Sequence, residues 1–233
     1  MKSIAIMQPT YIPWVGYFAL MSQVDKFVFL DSVQFERRSW QQRNRIKGSG
    51  GEIMLTVPVQ KAPRNQLCIC DVKIDYNSKF IHKHLTALQH AYGKAPYFQE
   101  YKEIIYGALN KRTSLLVDLN IDIIKRIAKV LCIETPMVRS SELSSTGNKD
   151  ELLYNICCEM DAQVYVSPLG SRKYLDSSVF FKEGAFPLLY HKYTPKPYSQ
   201  LFGDFLPYMT VIDLLFNEGP KSYENIQSGV ELV

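Results

Sequence analysis

Ser3-Ile4-Ala5-Ile6-Met7 opens the chain as a short apolar run closed by Gln8-Pro9, and Lys26-Phe27-Val28-Phe29-Leu30-Asp31 repeats the pattern. Short apolar runs bounded by turn residues read as strands buried on both faces. Between them Trp14, Val15, Phe18, Ala19, Met21 and Val24 recur near helical spacing over residues 12–24, and Pro13 suits a first helical turn. Strand, helix and strand within about 30 residues make a βαβ unit. Its crossover is expected to be right-handed and its two strands parallel neighbours.

Outward from this unit, residues 52–59 read as a third strand and the alternation over 67–75 as a fourth. Helical patterns cover about 79–92, 97–110 and 114–130. A strand is expected at 136–139. A helix follows from Asn148 to about residue 160, with acids in its first turn favoured by the helix dipole. Strands at 164–166 and 186–191 and a helix over 208–217 complete the reading. The pattern predicts an α/β protein with a mostly parallel, Rossmann-like sheet, flanking helices and a helical C-terminal part. It is read as one domain over 1–233, with a helical annex within about 79–130 as an option.

An apolar fraction of 46% with 12% aromatics is that of a chain with a core and argues against disorder. No apolar run approaches the roughly 18 residues of a membrane span. The N-terminal run breaks at Gln8-Pro9, short of a signal-peptide core of about 7 to 15 residues. A cytoplasmic location without membrane insertion is the expectation. The five cysteines are odd in number and lack zinc-finger spacing, so they read as reduced, buried small hydrophobes. His82, His84 and His90 lack the spacing of a zinc helix. No metal site is predicted, and with no Gly-rich phosphate motif present no cofactor is assigned.

In an open parallel sheet, ligands sit beyond the carboxyl ends of the strands. That places a site at Gln8, Thr10 and Tyr11 after the first strand and at Asp31 and Gln34 after the second. Trp14, Gly16 and Tyr17 lie at the helix start between them, where free amides suit an anion. Residues 36–47 carry Arg37, Arg38, Arg43, Arg45 and Lys47 against Glu36 alone, a net +4 that equals the charge of the whole chain. Arginine forks bind phosphate bidentately. Trp40 among them can stack a base or sugar, and Asn44 adds an amide. A solvated charged face is the competing reading. Pro168-Leu169-Gly170-Ser171, running on to Tyr174, is a weaker candidate loop whose amides could meet an anion.

The stretches Ile4–Phe18, Phe27–Phe35, Arg38–Ile46, Tyr165–Leu175 and Tyr198–Gly219 resemble the WbqC-like family over nearly the whole chain. The resemblance implies a role among surface-polysaccharide (O-antigen) biosynthesis proteins. It further implies an enzyme acting on a nucleotide-linked amino sugar, with a glycyl or similar acyl group placed on nitrogen. A more distant likeness is to nucleotidylyltransferase (HUP-like) and pantothenate-synthetase folds. Those carry His-x-Gly-His on the first helix; here Pro13-Trp14-Val15-Gly16-Tyr17 keeps the glycine and lacks both histidines, which argues against ATP-dependent adenylyl transfer.

The leading expectation is therefore an N-acyltransferase or amide-forming enzyme acting on a nucleotide-linked 4-amino-4,6-dideoxysugar, with a dTDP-linked sugar favoured. Gln8, Asp31 and His84 are the expected catalytic residues, because an amine nucleophile must be neutral and needs a base nearby. The expected substrate-binding set is Tyr11, Trp14, Gly16, Tyr17, Gln34, Arg38, Trp40, Arg43, Asn44, Arg45, Gly170 and Tyr174. The alternative is a non-catalytic binder of nucleotide or single-stranded nucleic acid using the same basic segment. The confinement of the charge to one segment and a pI of about 8.7 weigh against nucleic acid.

Overall fold

The computed structural model describes residues 2–61, 67–184 and 186–233. The strands are β1 (Ser3–Met7), β2 (Lys26–Phe29), β3 (Arg43–Gly48), β4 (Gly51–Thr56), β5 (Met137–Arg139), β6 (Val164–Pro168), β7 (Leu188–Tyr193) and β8 (Val230–Leu232). The helices are α1 (Val15–Met21), α2 (Phe80–Tyr92), α3 (Phe98–Tyr101), α4 (Glu103–Asn110), α5 (Leu116–Val130), α6 (Asp150–Glu159), α7 (Arg172–Leu175), α8 (Val179–Lys182), α9 (Val211–Glu218) and α10 (Ser222–Ser228). Among the described residues, no helix is long and apolar enough to cross a membrane.

Six strands form one sheet in the order β5-β2-β1-β6-β7-β8, parallel throughout except for β8. Because successive strand residues point to opposite faces, each apolar run feeds two cores. Ala5, Phe27, Phe29, Val164 and Val166 pack with α1, α2, α4, α5 and α9. Ile4, Ile6, Val28 and Tyr165 pack with α6 and α8 on the other face. This is the Rossmann-like α/β architecture that the two N-terminal runs predict. The helical stretch 79–130 shares its apolar core with the sheet.

Three local expectations are corrected. The 52–59 strand is β4, shortened to Gly51–Thr56. It pairs antiparallel with β3 in a separate hairpin, in register from Arg43↔Thr56 to Gly48↔Gly51. A two-residue Ser49-Gly50 loop joins the strands, and Gly51 takes a φ of +107° that a side chain would strain. Half of the basic segment is thus a strand.

The 67–75 strand is instead a 3-10 turn at Ile69–Asp71 with isolated bridges on either side. Its buried positions are Ile69, Val72 and Ile74. The step of three between the first two breaks a period of two.

Helix α1 starts at Val15, later than expected, with Trp14 as N-cap and Pro13 outside it. Ile12 turns the chain at φ +42°. Trp14 then bridges Thr210, and the Pro13 carbonyl accepts from the Val211 amide at 2.9 Å. The backbone that would have begun the helix is spent on contact with the start of α9. All seven residues of α1 are buried, as a helix apolar all round requires. Helices α7, α8 and α10 and strand β8 carry no clear periodicity in the sequence.

Candidate functional site

The chain runs from β1 to β2 on one side of the sheet, whereas β6 lies on the other side of β1. The topological switch point, where open α/β sheets leave a crevice, therefore falls between β1 and β6 rather than between β1 and β2. A cavity of about 170 Å³ opens there, lined by Met7, Trp14, Gly16, Leu20, Pro168, Leu169, Gly170, His191, Lys192 and Tyr193. A larger one, of about 310 Å³, adjoins it beside the end of β1 and is lined by Met7, Thr10, Trp14, Tyr17, Trp40, Asn44, Arg45 and Tyr208. The two share Met7 and Trp14.

The loop after β1 is fixed by side-chain amides. Gln41 Nε2 donates to Gln8 Oε1 at 2.9 Å. Asn44 Nδ2 donates to the carbonyls of Tyr11 and Ile12 at 3.2 and 3.0 Å. Asn120 Nδ2 donates to those of Pro9 and Gln41 at 3.0 and 2.8 Å, and the Tyr11 amide donates to the Trp40 carbonyl at 3.0 Å. Charge-neutral amides can satisfy several backbone carbonyls in a buried loop without the cost of burying an ion. Asn44 thus shapes the cavity wall through the backbone it holds, and Gln8 ties the loop to Gln41. Tyr17 adds to it, its hydroxyl donating to the Gln8 carbonyl at 3.3 Å.

The structure brings together Trp14, Tyr17, Trp40, Asn44 and Arg45, and adjoins Gly16 and Gly170 in the smaller cavity. The indole of Trp14 lies against Gly16, so a ring rather than an anion covers that part of the first helical turn. Of the five cations in the basic segment, Arg45 alone lines the cavity. Its guanidinium sits 5.9 Å from the Trp40 ring centroid and donates from one nitrogen to both oxygens of Glu52, at 2.9 and 3.0 Å. Lys47 is buried and its ammonium donates to the carbonyls of Asp204 and Gly203. Arg43 is partly buried in β3, while Arg38 is exposed at a φ of +61°.

Eight expected residues line neither cavity: Gln8, Tyr11, Arg38 and Arg43, and also Asp31, Gln34, Tyr174 and His84, which lie elsewhere. The Asp31 carboxylate is fully buried and fully engaged: Arg139 Nε donates at 2.7 Å, the Ser141 amide and hydroxyl at 2.9 Å each, and the Ser140 hydroxyl at 3.1 Å. The same guanidinium reaches Asp118 at 3.0 Å. The carboxyl end of β2 is therefore filled by the segment following β5. Gln34 is exposed and bridges Cys68. Tyr174 donates to Asp150 Oδ1 at 3.4 Å. His84 lines a separate cavity of about 400 Å³ between β4 and α2. Its Nε2 donates to the Thr56 carbonyl at 3.1 Å, which leaves Nδ1 to accept from the Tyr11 hydroxyl at 2.9 Å. Burial pushes its pKa down to about 4, so the ring is neutral with both nitrogens used.

The sequence reading missed His191. It lies in β7, paired in register with Pro168 of β6, buried, and stacked near Tyr193 with ring planes 14° apart. Its Nε2 has no partner among the described residues. Burial pushes its pKa down to about 4. A polar side chain at the end of a strand read as 186–191 is the signal that could have found it. Tyr208 was missed too; it sits at a φ of +61° beside Trp14, with ring centroids 5.6 Å apart. Burial pushes the Cys70 thiol up to about 11 and Cys157 higher, so neither is a ready nucleophile.

A family model described as the WbqC-like protein family matches residues 8–225. The chain is also 36% identical over 224 residues to the "Uncharacterized protein Rv1507c" of Mycobacterium tuberculosis (strain ATCC 25618 / H37Rv), covering 95% of this chain and 96% of that protein. No solved structure matches the chain.

Proposed function

The chain belongs to the WbqC-like protein family, and from that premise we propose that it serves polysaccharide biosynthesis as a transferase acting on a nucleotide-linked amino sugar. The observation that carries this reading is the pair of adjoining cavities at the carboxyl end of β1, the smaller of them at the β1–β6 switch point. In the larger one Trp40 and Tyr208, each about half exposed, offer faces to a base or sugar ring. Arg45 stands beside them for the pyrophosphate. The amino sugar, a dTDP-linked 4-amino-4,6-dideoxysugar in this reading, extends into the smaller cavity toward His191.

There a neutral imidazole is in the form that accepts a proton. The amine nitrogen bonds to the acyl carbon of an activated donor, a thioester or acyl phosphate. The bond from that carbon to its leaving group breaks, and the amine proton passes to His191. A small acyl group such as glycyl is the cargo this reading favours.

Thermal-shift titration with dTDP- and UDP-linked 4-amino-4,6-dideoxysugars, ATP and acyl-CoA tests it. A dTDP-amino sugar raises the melting temperature by mass action, and Trp40→Ala removes the shift. Saturable binding of generic single-stranded RNA or DNA, with no shift from any nucleotide sugar, would overturn it in favour of a nucleic-acid binder.

A further inference from the structure

Cys68, Cys70 and Asp71 stand on the 3-10 turn that packs against the segment leaving β2. One donor atom from each, two thiol sulfurs and a carboxylate oxygen, lies within 4.8 Å of the others. Both thiols are free and partly buried, and Asp71 is exposed. We propose that these three residues bind one thiophilic divalent cation, with Zn²⁺ as its natural occupant.

The backbone of this turn is held by the fold. The Ile69 amide donates to the Val33 carbonyl at 2.9 Å, the Cys70 amide to the Asp31 carbonyl at 3.0 Å, and the Asp71 amide to the Cys68 carbonyl at 3.0 Å. Cys68 also bridges Gln34. The three Cα positions are therefore set before any ion arrives, and only side-chain torsions remain to adjust. Preorganisation of this kind is what a precise site needs.

The distances suit the chemistry. Zn–S bonds of about 2.3 Å in tetrahedral geometry hold two sulfurs about 3.8 Å apart, and Zn–O bonds are about 2.0–2.2 Å. A torsional adjustment of the side chains brings donors already within 4.8 Å to that spacing. Two thiolates select soft or borderline cations over Mg²⁺ and Ca²⁺. Binding displaces both thiol protons, so affinity rises with pH.

The donor set also bears on charge. Once binding has displaced the thiol protons, two thiolates and a carboxylate bring three negative charges, of which the dication offsets two. The nearby Asp31 carboxylate is already matched by Arg139, which Asp118 shares. Three protein ligands leave the fourth tetrahedral position to solvent. This site is separate from the two cavities beside the end of β1, and no residue of the three lines either.

Cobalt titration of the full, reduced and chelator-treated protein tests the proposal. One equivalent of Co²⁺ should saturate a sulfur-to-cobalt charge-transfer band in the near ultraviolet, and Zn²⁺ should abolish it by displacement. Cys68→Ser and Cys70→Ser each remove the band, whereas substitution of the exposed Cys132 or Cys158 leaves it intact. Asp71→Asn retains both thiols and weakens Co²⁺ binding by at least about tenfold, the loss seen even for outer-shell partners. A wild-type protein that shows no such band, or a band that survives in the Cys68→Ser/Cys70→Ser double variant, overturns the assignment. The wild-type measurement decides the matter even where a cysteine variant fails to fold.

Discussion

The indole of Trp14 lies so close over Gly16 that a Cβ at that position would come within 2.2 Å of the ring's Cη2. This contact sets the partition between the two cavities, because Trp14 lines both and Gly16 lines the smaller. The glycine is there for the approach of the ring, since its residue is an ordinary member of helix α1.

Gly16→Ala therefore forces the indole to move. Overpacking of this sort costs about 1–3 kcal/mol. A urea melt should show a lower midpoint with an unchanged slope, and nucleotide-sugar binding should weaken alongside it. Unaltered stability together with unaltered binding would mean that the ring swings aside freely and does not wall the cavities.

Asp31 leads to a prediction about stability rather than turnover. The hydrogen bonds to its carboxylate come from Arg139, Ser140 and Ser141. Removing the Asp31 charge leaves the partly exposed Arg139 with Asp118 alone and weakens several charge-assisted hydrogen bonds, a cost of about 1–3 kcal/mol. Asp31→Asn should lower the denaturation midpoint accordingly, while nucleotide-sugar affinity of the folded fraction stays near that of the wild type. A large loss of affinity with wild-type stability would restore Asp31 to the substrate.

The division between what was legible and what was not follows sequence distance. Strands β1 and β2 are readable because burial on both faces makes each an apolar run, and α1 because its spacing is local. The switch point needs the place of β6 in the sheet, and no local pattern carries that. Asp31 ends an apolar strand as a catalytic acid would. Its neutralisation comes from Arg139, 108 residues away. The basic segment showed its charge but not its pairing: Arg43, Arg45 and Lys47 share one face of β3, and it is Glu52 on β4 that holds Arg45 while the distant Gly203 and Asp204 carbonyls take up Lys47. Tyr208 reaches Trp14 through the Trp14↔Thr210 bridge, which joins the two ends of the chain.

The two buried histidines make stability depend on pH with a defined sign. Burial lowers both His84 and His191 to about 4 from an ordinary 6.5. Between those values the unfolded chain binds more protons than the folded one, so stability is complete above pH 6.5 and falls as pH drops toward 4. By pH 4 the loss is on the order of 2–3 kcal/mol for each group, and it becomes complete only below that pH. Denaturant melts from pH 4.5 to 7.5 should show this slope. His191→Gln should flatten its share of the curve, and so should His84→Gln. A slope identical to wild type in both variants would mean that neither imidazole is held neutral.

Arg45 and Arg43 give the sharpest contrast within the proposed substrate site. Arg45 lines the larger cavity, with its guanidinium beside Trp40. Arg43 stands two residues earlier on the same strand and does not line it. Trp40 is 50% exposed, so truncating it removes little packing from the free protein. Base–aromatic stacking is worth about 1–3 kcal/mol, which corresponds to a loss of roughly fivefold to a hundredfold in affinity for Trp40→Ala. Arg45→Gln should weaken binding of the same dTDP-amino sugar and also lessen its dependence on salt, because a charge pair with phosphate is lost. Arg43→Gln should change neither by more than about twofold on that argument. Calorimetry at two salt concentrations separates the cases. If Arg43→Gln proves as damaging as Arg45→Gln, the pyrophosphate is held further along the hairpin, and the larger cavity is not where the nucleotide lies.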